Sequence, residues 1–197
     1  MLWVTITSMP EFKKYETSSL HMETERFALR ILTEDDATEG YLSWLHDPKI
    51  AVMLASDAMN ETMVGLRKFI AWHDNVTRFL FGIFTKEGTF IGTHSIQFFP
   101  KEGWAAVGVM IGDRNFWGKA VPLETRARLL QWIFEELGPR LVRASCFSNN
   151  RPSIFNFKRQ GWQVEKVSKG AKVVQGKPAD LIYFTITAEQ FAENTSF

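Results

Sequence analysis

The sequence predicts a mixed α/β fold, one sheet covered by helices, on three observations. Residues 78–85, 89–98 and 104–111 are apolar runs separated by Lys86-Glu87-Gly88 and Pro100-Lys101-Glu102-Gly103, turn-forming sequences that make the three an antiparallel meander. Segments with apolar residues at helical spacing lie before and after that meander. A polar, glycine-containing loop at 112–118 leads from its last strand into a helix. With 197 residues the chain has the size of one compact domain, spanning 1–197.

Taken in order, residues 27–32 form a first strand, and Thr33-Glu34-Asp35-Asp36 offers a helix cap with acidic side chains where the helix dipole favours them. The helix that follows runs through His46, turns Tyr41, Leu42, Trp44 and Leu45 toward a core, and stops at Asp47-Pro48. Asn60 caps a second helix, on which Met63, Leu66, Phe69, Ile70 and His73 recur. After the meander, the helix from about Pro122 sets Leu123, Ala127, Leu130, Phe134 and Leu137 on one face, and Gly138-Pro139 ends it. A strand at 141–146, a short helix at 151–160, an exposed hairpin at 166–178 and a last strand at 181–187 complete the order.

Charge and composition narrow the function. Lys plus Arg (23) nearly balance Asp plus Glu (22), so no overall field draws the protein to nucleic acid or to an anionic membrane. The single cysteine, Cys146, excludes an internal disulfide and a zinc site built from several thiolates, and fits a reducing, cytoplasmic setting. No run approaches the roughly 20 apolar residues of a membrane span. Residues 1–10 lack the basic and long apolar regions of a signal peptide.

The chemistry concentrates at 112–127. A strand ends, small and polar residues follow, and a helix begins; its first N–H groups and partial positive charge then face whatever approaches the loop. Gly118 lets a phosphate come close to the backbone, and Lys119 adds a full charge.

Three stretches resemble the GNAT acyltransferases, in the branch holding ribosomal-protein N-terminal and amino-sugar acetyltransferases. They are 26–48, with Thr33-Glu34-Asp35-Asp36 and Trp44-Leu45-His46-Asp47-Pro48; Phe116-Trp117-Gly118-Lys119-Ala120 with Glu124; and Asn150-Arg151-Pro152-Ser153 through Gly161-Trp162. The resemblance implies a central, largely antiparallel sheet with two splayed strands flanked by helices, and acetyl-CoA as acyl donor. It implies that pantetheine bonds to backbone along Val109, Met110 and Ile111, and that the pyrophosphate meets N–H groups of Asn115, Phe116, Trp117, Gly118, Lys119 and Ala120. Asn150 would cap the next helix or bond the pantetheine arm, with Ser153 one turn along. The acceptor implied is a small-molecule amine, such as a nucleotide-linked amino sugar, or a protein N-terminus; several relatives are homodimers. A coenzyme-binding module without turnover is a third reading.

Five positions depart from the family pattern. Ala120 replaces a second glycine, and Pro122-Leu123 an Ala-Thr pair. Phe157 stands where many relatives carry a tyrosine that protonates the departing thiolate. Ala106 stands near the place of a glutamate that helps deprotonate the amine. His94, in the middle strand of the meander, is the first candidate for a replacement base, because imidazole titrates near neutral pH. His46 and His73 lie on the two helices that border the acceptor pocket in this family.

Overall fold

The computed structural model describes residues 13–54, 58–174 and 177–194. Eight strands form one sheet in the order β1-β2-β3-β4-β5-β6-β8-β7. They are β1 (His21–Glu23), β2 (Phe27–Ile31), β3 (Arg78–Thr85), β4 (Phe90–Phe99), β5 (Trp104–Ile111), β6 (Leu141–Phe147), β7 (Gln163–Val174) and β8 (Lys177–Thr187). Every neighbouring pair is antiparallel except β5 and β6. The meander stands where its turns predict it, and the predicted hairpin is the tip of the longer β7–β8 pair.

Helices cover both faces. Helices α1 (Glu39–Leu45) and α3 (Met63–Ala71) pack on one, where Tyr41, Leu66, Ile70 and Leu80 are buried together. Between them runs α2 (Pro48–Ala51). On the other face lie α4 (Val121–Trp132) and α5 (Arg151–Arg159), over a core that includes Phe79, Phe81, Leu129, Val142, Phe157 and Phe184. Strand alternation feeds both: in β5, Ala105 and Val107 join the α4 core while Met110 packs with the α1 and α3 cluster.

Several boundaries move for local reasons. Thr33 and Asp36 close a capping box on a single 3-10 turn, Glu34–Asp36, and α1 starts afresh at Thr38, whose hydroxyl accepts from Tyr41 N–H. Asp47-Pro48 does stop α1, and then starts α2: Asp47 is its cap and Pro48 fills a first-turn position where no N–H is needed. Asn60 lies within the 3-10 turn Ala58–Asn60, so Thr62 caps α3 by accepting from Gly65 N–H. The buried stripe of α4 is Val121, Thr125, Arg126, Leu129, Leu130 and Trp132, rotated from the predicted face. A five-residue π turn, Ile133–Leu137, follows it, and Gly138 closes the end in the left-handed region. Strand β1 and α6 (Ala188–Glu193) were not anticipated.

Candidate active site

The site begins with a break in the sheet. Strands β5 and β6 pair only at Trp104↔Leu141, Ala105↔Val142 and Ala106↔Arg143, and then diverge. Gly112 N–H donates to the Ile91 carbonyl at 2.9 Å. In an antiparallel pair, residues alternate in facing the partner strand, so Met110 faces β4 and Val109 and Ile111 face the gap. Val109 offers its N–H and carbonyl there; Ile111 offers its N–H, because its carbonyl accepts from Trp117 Nε1 at 2.9 Å. The expected backbone contacts along Val109, Met110 and Ile111 therefore narrow to the first and last. The backbone of Met110 is spent in the sheet.

Beyond Ile111, Gly112 passes under the Trp44 indole, where a Cβ would come within 1.9 Å of ring carbon. Asp113 then caps a 3-10 turn, Arg114–Phe116, accepting from Asn115 N–H at 2.9 Å. Arg114 pairs with Asp47, tying the loop to the start of α2. The N–H groups of Phe116 and Trp117 are bonded inside this turn, and that of Lys119 reaches the Phe116 carbonyl at 3.4 Å. The predicted cradle from Asn115 to Ala120 is corrected accordingly: the turn consumes the N–H groups of Asn115, Phe116 and Trp117. Phe116 packs its ring against Phe27, and Trp117 leaves its ring largely exposed at the mouth of the gap.

What remains is a compact donor set. Gly118 and Ala120 both take positive φ, 75° and 58°, and the N–H groups of Gly118, Ala120 and Val121 find no hydrogen-bond acceptor among the described residues. Backbone bent this way at a helix N-terminus makes a concave anion site. Alanine in the left-handed region carries a strain of about 1 kcal/mol that glycine would not. Arg26 holds the loop from behind, donating to the Lys119 carbonyl at 3.1 Å and to Glu124 at 2.7 Å. Burial raises the Glu124 pKa, but donors from Thr24 and Arg26 outweigh it and hold the carboxyl below its usual value. Across the gap, Asn150 Oδ1 accepts from Ser153 N–H at 3.1 Å, so both residues build the α5 cap.

On the α3 side of the sheet, a cavity of about 260 Å³ is lined by Phe69, Trp72, His73, Ser95, Ile96, Gln97, Ala106, Val107 and Gly108. Its floor runs along β5 to the point where β5 leaves β6. Phe69 and Trp72 stand over it, 42% and 49% exposed, each meeting the His73 ring edge-on, and the Arg78 guanidinium lies 4.3 Å from the centre of the Trp72 ring. None of the lining residues is acidic. His73 Nδ1–H donates to the Phe69 carbonyl at 2.8 Å, which leaves the Nε2 lone pair free. Burial lowers the pKa of His73, so its ring is neutral at pH 7.

A family model described as an acetyltransferase (GNAT) domain matches residues 26–163. The chain belongs to the GNAT acetyltransferase family. Solved structures of the same fold include spermidine N-acetyltransferase from Vibrio cholerae in complex with CoA and spermine, with a TM-score of 0.77 at 15% identity over 84% of this chain and 98% of that one. Ribosomal-protein-S5-alanine acetyltransferase from Vibrio fischeri gives 0.74 at 18% identity over 87% and 98%. A GNAT-family acetyltransferase from Bacillus anthracis gives 0.73 at 18% identity over 86% and 99%. At these identities the likeness concerns the fold. No curated protein matches the chain. Among the described residues, no helix is long and apolar enough to cross a membrane.

Acetyl-CoA is the acyl donor of GNAT enzymes, and the residues present fit it: a strand gap with open backbone groups leads to a three-donor anion cradle. Phe157, where the sequence resemblance expects a tyrosine, is 3% exposed and stacked on Phe184 at 4.5 Å between ring centroids. Ala106 lines the cavity with a methyl group.

His94 is corrected as the candidate base. It is fully buried on the α4 face, the face opposite the cavity, with Nε2 2.8 Å from Thr125 Oγ1 and Nδ1 3.2 Å from the Gly108 carbonyl. Burial and the nearby Arg126 charge push its pKa down to about 3. It packs the sheet against α4 and has no path to an acceptor. His46 is also outside the cavity, with Nε2 bonded to the Glu61 carbonyl. Three further polar residues are buried on this face, Thr125 against His94 and Arg126 against Gln160, and no sequence motif marks them.

Proposed function

We propose that the protein is an acetyl-CoA-dependent N-acetyltransferase for the primary amine of a small molecule, with a nucleotide-linked amino sugar as the leading acceptor class. The observation that supports this most is the juxtaposition of the cavity with the β5–β6 gap. An amine held under Phe69 and Trp72 sits at the place where a thioester threaded along Val109 would present its carbonyl. Flat rings suit a sugar or a nucleobase. The absence of a lining carboxylate disfavours a polycation and the charged N-terminus of a peptide.

Coenzyme contacts in this reading come from Val109 and Ile111 along pantetheine, and from Gly118, Ala120 and Val121 with Lys119 at the pyrophosphate. Trp117, Asn150 and Ser153 border the arm. Acetyl-CoA supplies an activated acetyl group. Val109 N–H polarises the carbonyl oxygen as the amine attacks. His73 Nε2, with its proton kept on Nδ1 by the Phe69 carbonyl, takes the proton the amine loses, directly or through one water. Positioning supplies the rest of the rate.

Incubation with acetyl-CoA and three acceptor sets (nucleotide-linked amino sugars, polyamines and N-terminal peptides), read by mass spectrometry, tests the reading. Acetylated amino-sugar nucleotide is the expected product. Acetylated peptide alone would transfer the assignment to protein N-termini. Phe157 and Ala106 keep one other reading open, a module that binds the coenzyme without turnover; tight CoA binding with no product from any set would establish it.

A further inference from the structure

The α4 face contains a charge that packing does not explain. Arg126 is 2% exposed, and its guanidinium lies 4.2 Å from the centre of the Phe157 ring. Its Nε donates to Gln160 Oε1 at 2.6 Å, and Gln160 is anchored in turn by donating to the Leu123 carbonyl at 2.8 Å. The guanidinium also lies 5.5 Å from the centre of the Trp162 ring, and among the described residues neither its buried Nη2 nor the buried Trp162 Nε1 has a hydrogen-bond partner. Among the described residues no carboxylate pairs with Arg126. A buried cation without an anion is costly, and folding alone would be served as well by an apolar side chain.

The sheet register locates this charge. Thr125, the residue before Arg126, has its Oγ1 2.8 Å from His94 Nε2 on β4, and the Phe157 ring under the guanidinium stacks on Phe184 of β8, which is opposite Ala144 on β6. His94 is opposite Val109. Ala105 is opposite Val142, so Cys146 is the residue Val109 would have faced had the two strands stayed together. The guanidinium therefore lies beneath the gap at the level of Val109, the residue whose N–H polarises the thioester carbonyl in the reading above. It also lies against the ring that replaces the family's acid.

We propose that Arg126 is a catalytic residue that stabilises the departing thiolate of coenzyme A, the task for which Phe157 has no hydroxyl. This rests on the acetyl-CoA reading. The amine lone pair forms the N–C bond, the C–S bond breaks with its electron pair on sulfur, and the resulting thiolate pairs with the guanidinium. The amine's proton goes to His73 and then to solvent, and the thiolate takes a proton from solvent on release. Arginine keeps its proton throughout, so it acts through charge, where tyrosine acts as an acid.

The test is the ionisation of the bound product. Thiolate absorbance is followed with pH in the CoA complex, and the desulfo-CoA complex is subtracted to remove Cys146. In the wild type, the bound thiol should ionise about 1–3 pH units below the free coenzyme, as beside any opposite charge. In R126M the value should return to that of free CoA, with CoA affinity within about threefold, while R126K retains most of the shift. If R126M does not fold, R126Q, which loses the charge and keeps a polar head, makes the same comparison. Equal thiol ionisation in wild type and either neutral variant would overturn the proposal and leave coenzyme binding intact. Failure of the wild type to bind CoA would overturn the coenzyme reading itself.

Discussion

His73 and His94 are on opposite faces of one sheet, and the same side chain has been given two chemistries. His73, half-buried beside a cavity, has one nitrogen committed to a carbonyl and the other free. His94, sealed under α4, has both nitrogens committed and no contact with solvent. What separates them is access. Residue type alone made both of them candidates, and only the sheet face distinguishes a base from a packing group.

The largest effect that tests this contrast is on turnover. H73A should lower kcat by about 10²–10⁴-fold while CoA affinity stays constant. The wild-type rate should rise with pH through an inflection below 6.5, because burial lowers the His73 pKa and only the neutral ring accepts a proton. That inflection should vanish in H73A. An unchanged rate would return His73 to the helix surface.

H94A should act on stability, costing about 2–4 kcal/mol in denaturant unfolding through a cavity and the loss of the His94 contacts to Thr125 and the Gly108 carbonyl. The rate per folded molecule should hold. The pH dependence has a definite sign. His94 is held neutral in the folded state, with its pKa lowered to about 3, and titrates near 6.5 when unfolded. The unfolded chain binds the extra proton between those values, so stability is complete above pH 6.5 and declines as pH falls toward 3. H94A should flatten that decline.

The open region should respond through binding. G118V places a β-branched residue at a φ of 75°, at a strain of about 1–3 kcal/mol, and should weaken CoA binding by about tenfold or more in calorimetry. The smallest change is A120G, which relieves a left-handed alanine and should stabilise the protein by up to about 1 kcal/mol without loss of CoA affinity.

Much of this was legible in the sequence where the signal is local. Turn residues such as Lys86-Glu87-Gly88 marked the meander, and Gly118 with Pro122 marked the entry to α4. Choices between nearby caps were not, because Thr33 and Thr38 both carry the right hydroxyl, and a 3-10 turn ended the first before a helix could form. The capping box of α6, Thr187 with Gln190, is a local signal of the same kind. The polar cluster at Arg126 was invisible for another reason. Arg126 and Gln160 are buried where α4 meets the end of α5, and Thr125 is buried against His94 of β4, contacts that no local residue pattern announces. The gap between β5 and β6 came from the family resemblance, since no residue pattern announces where two strands part.

The most direct test of the central claim is a crystal structure with CoA bound. The pyrophosphate oxygens should lie about 3 Å from the N–H nitrogens of Gly118, Ala120 and Val121, and pantetheine should bond to Val109 in the gap. A coenzyme bound elsewhere, or one that leaves Val109 and Gly118 untouched, would contradict it.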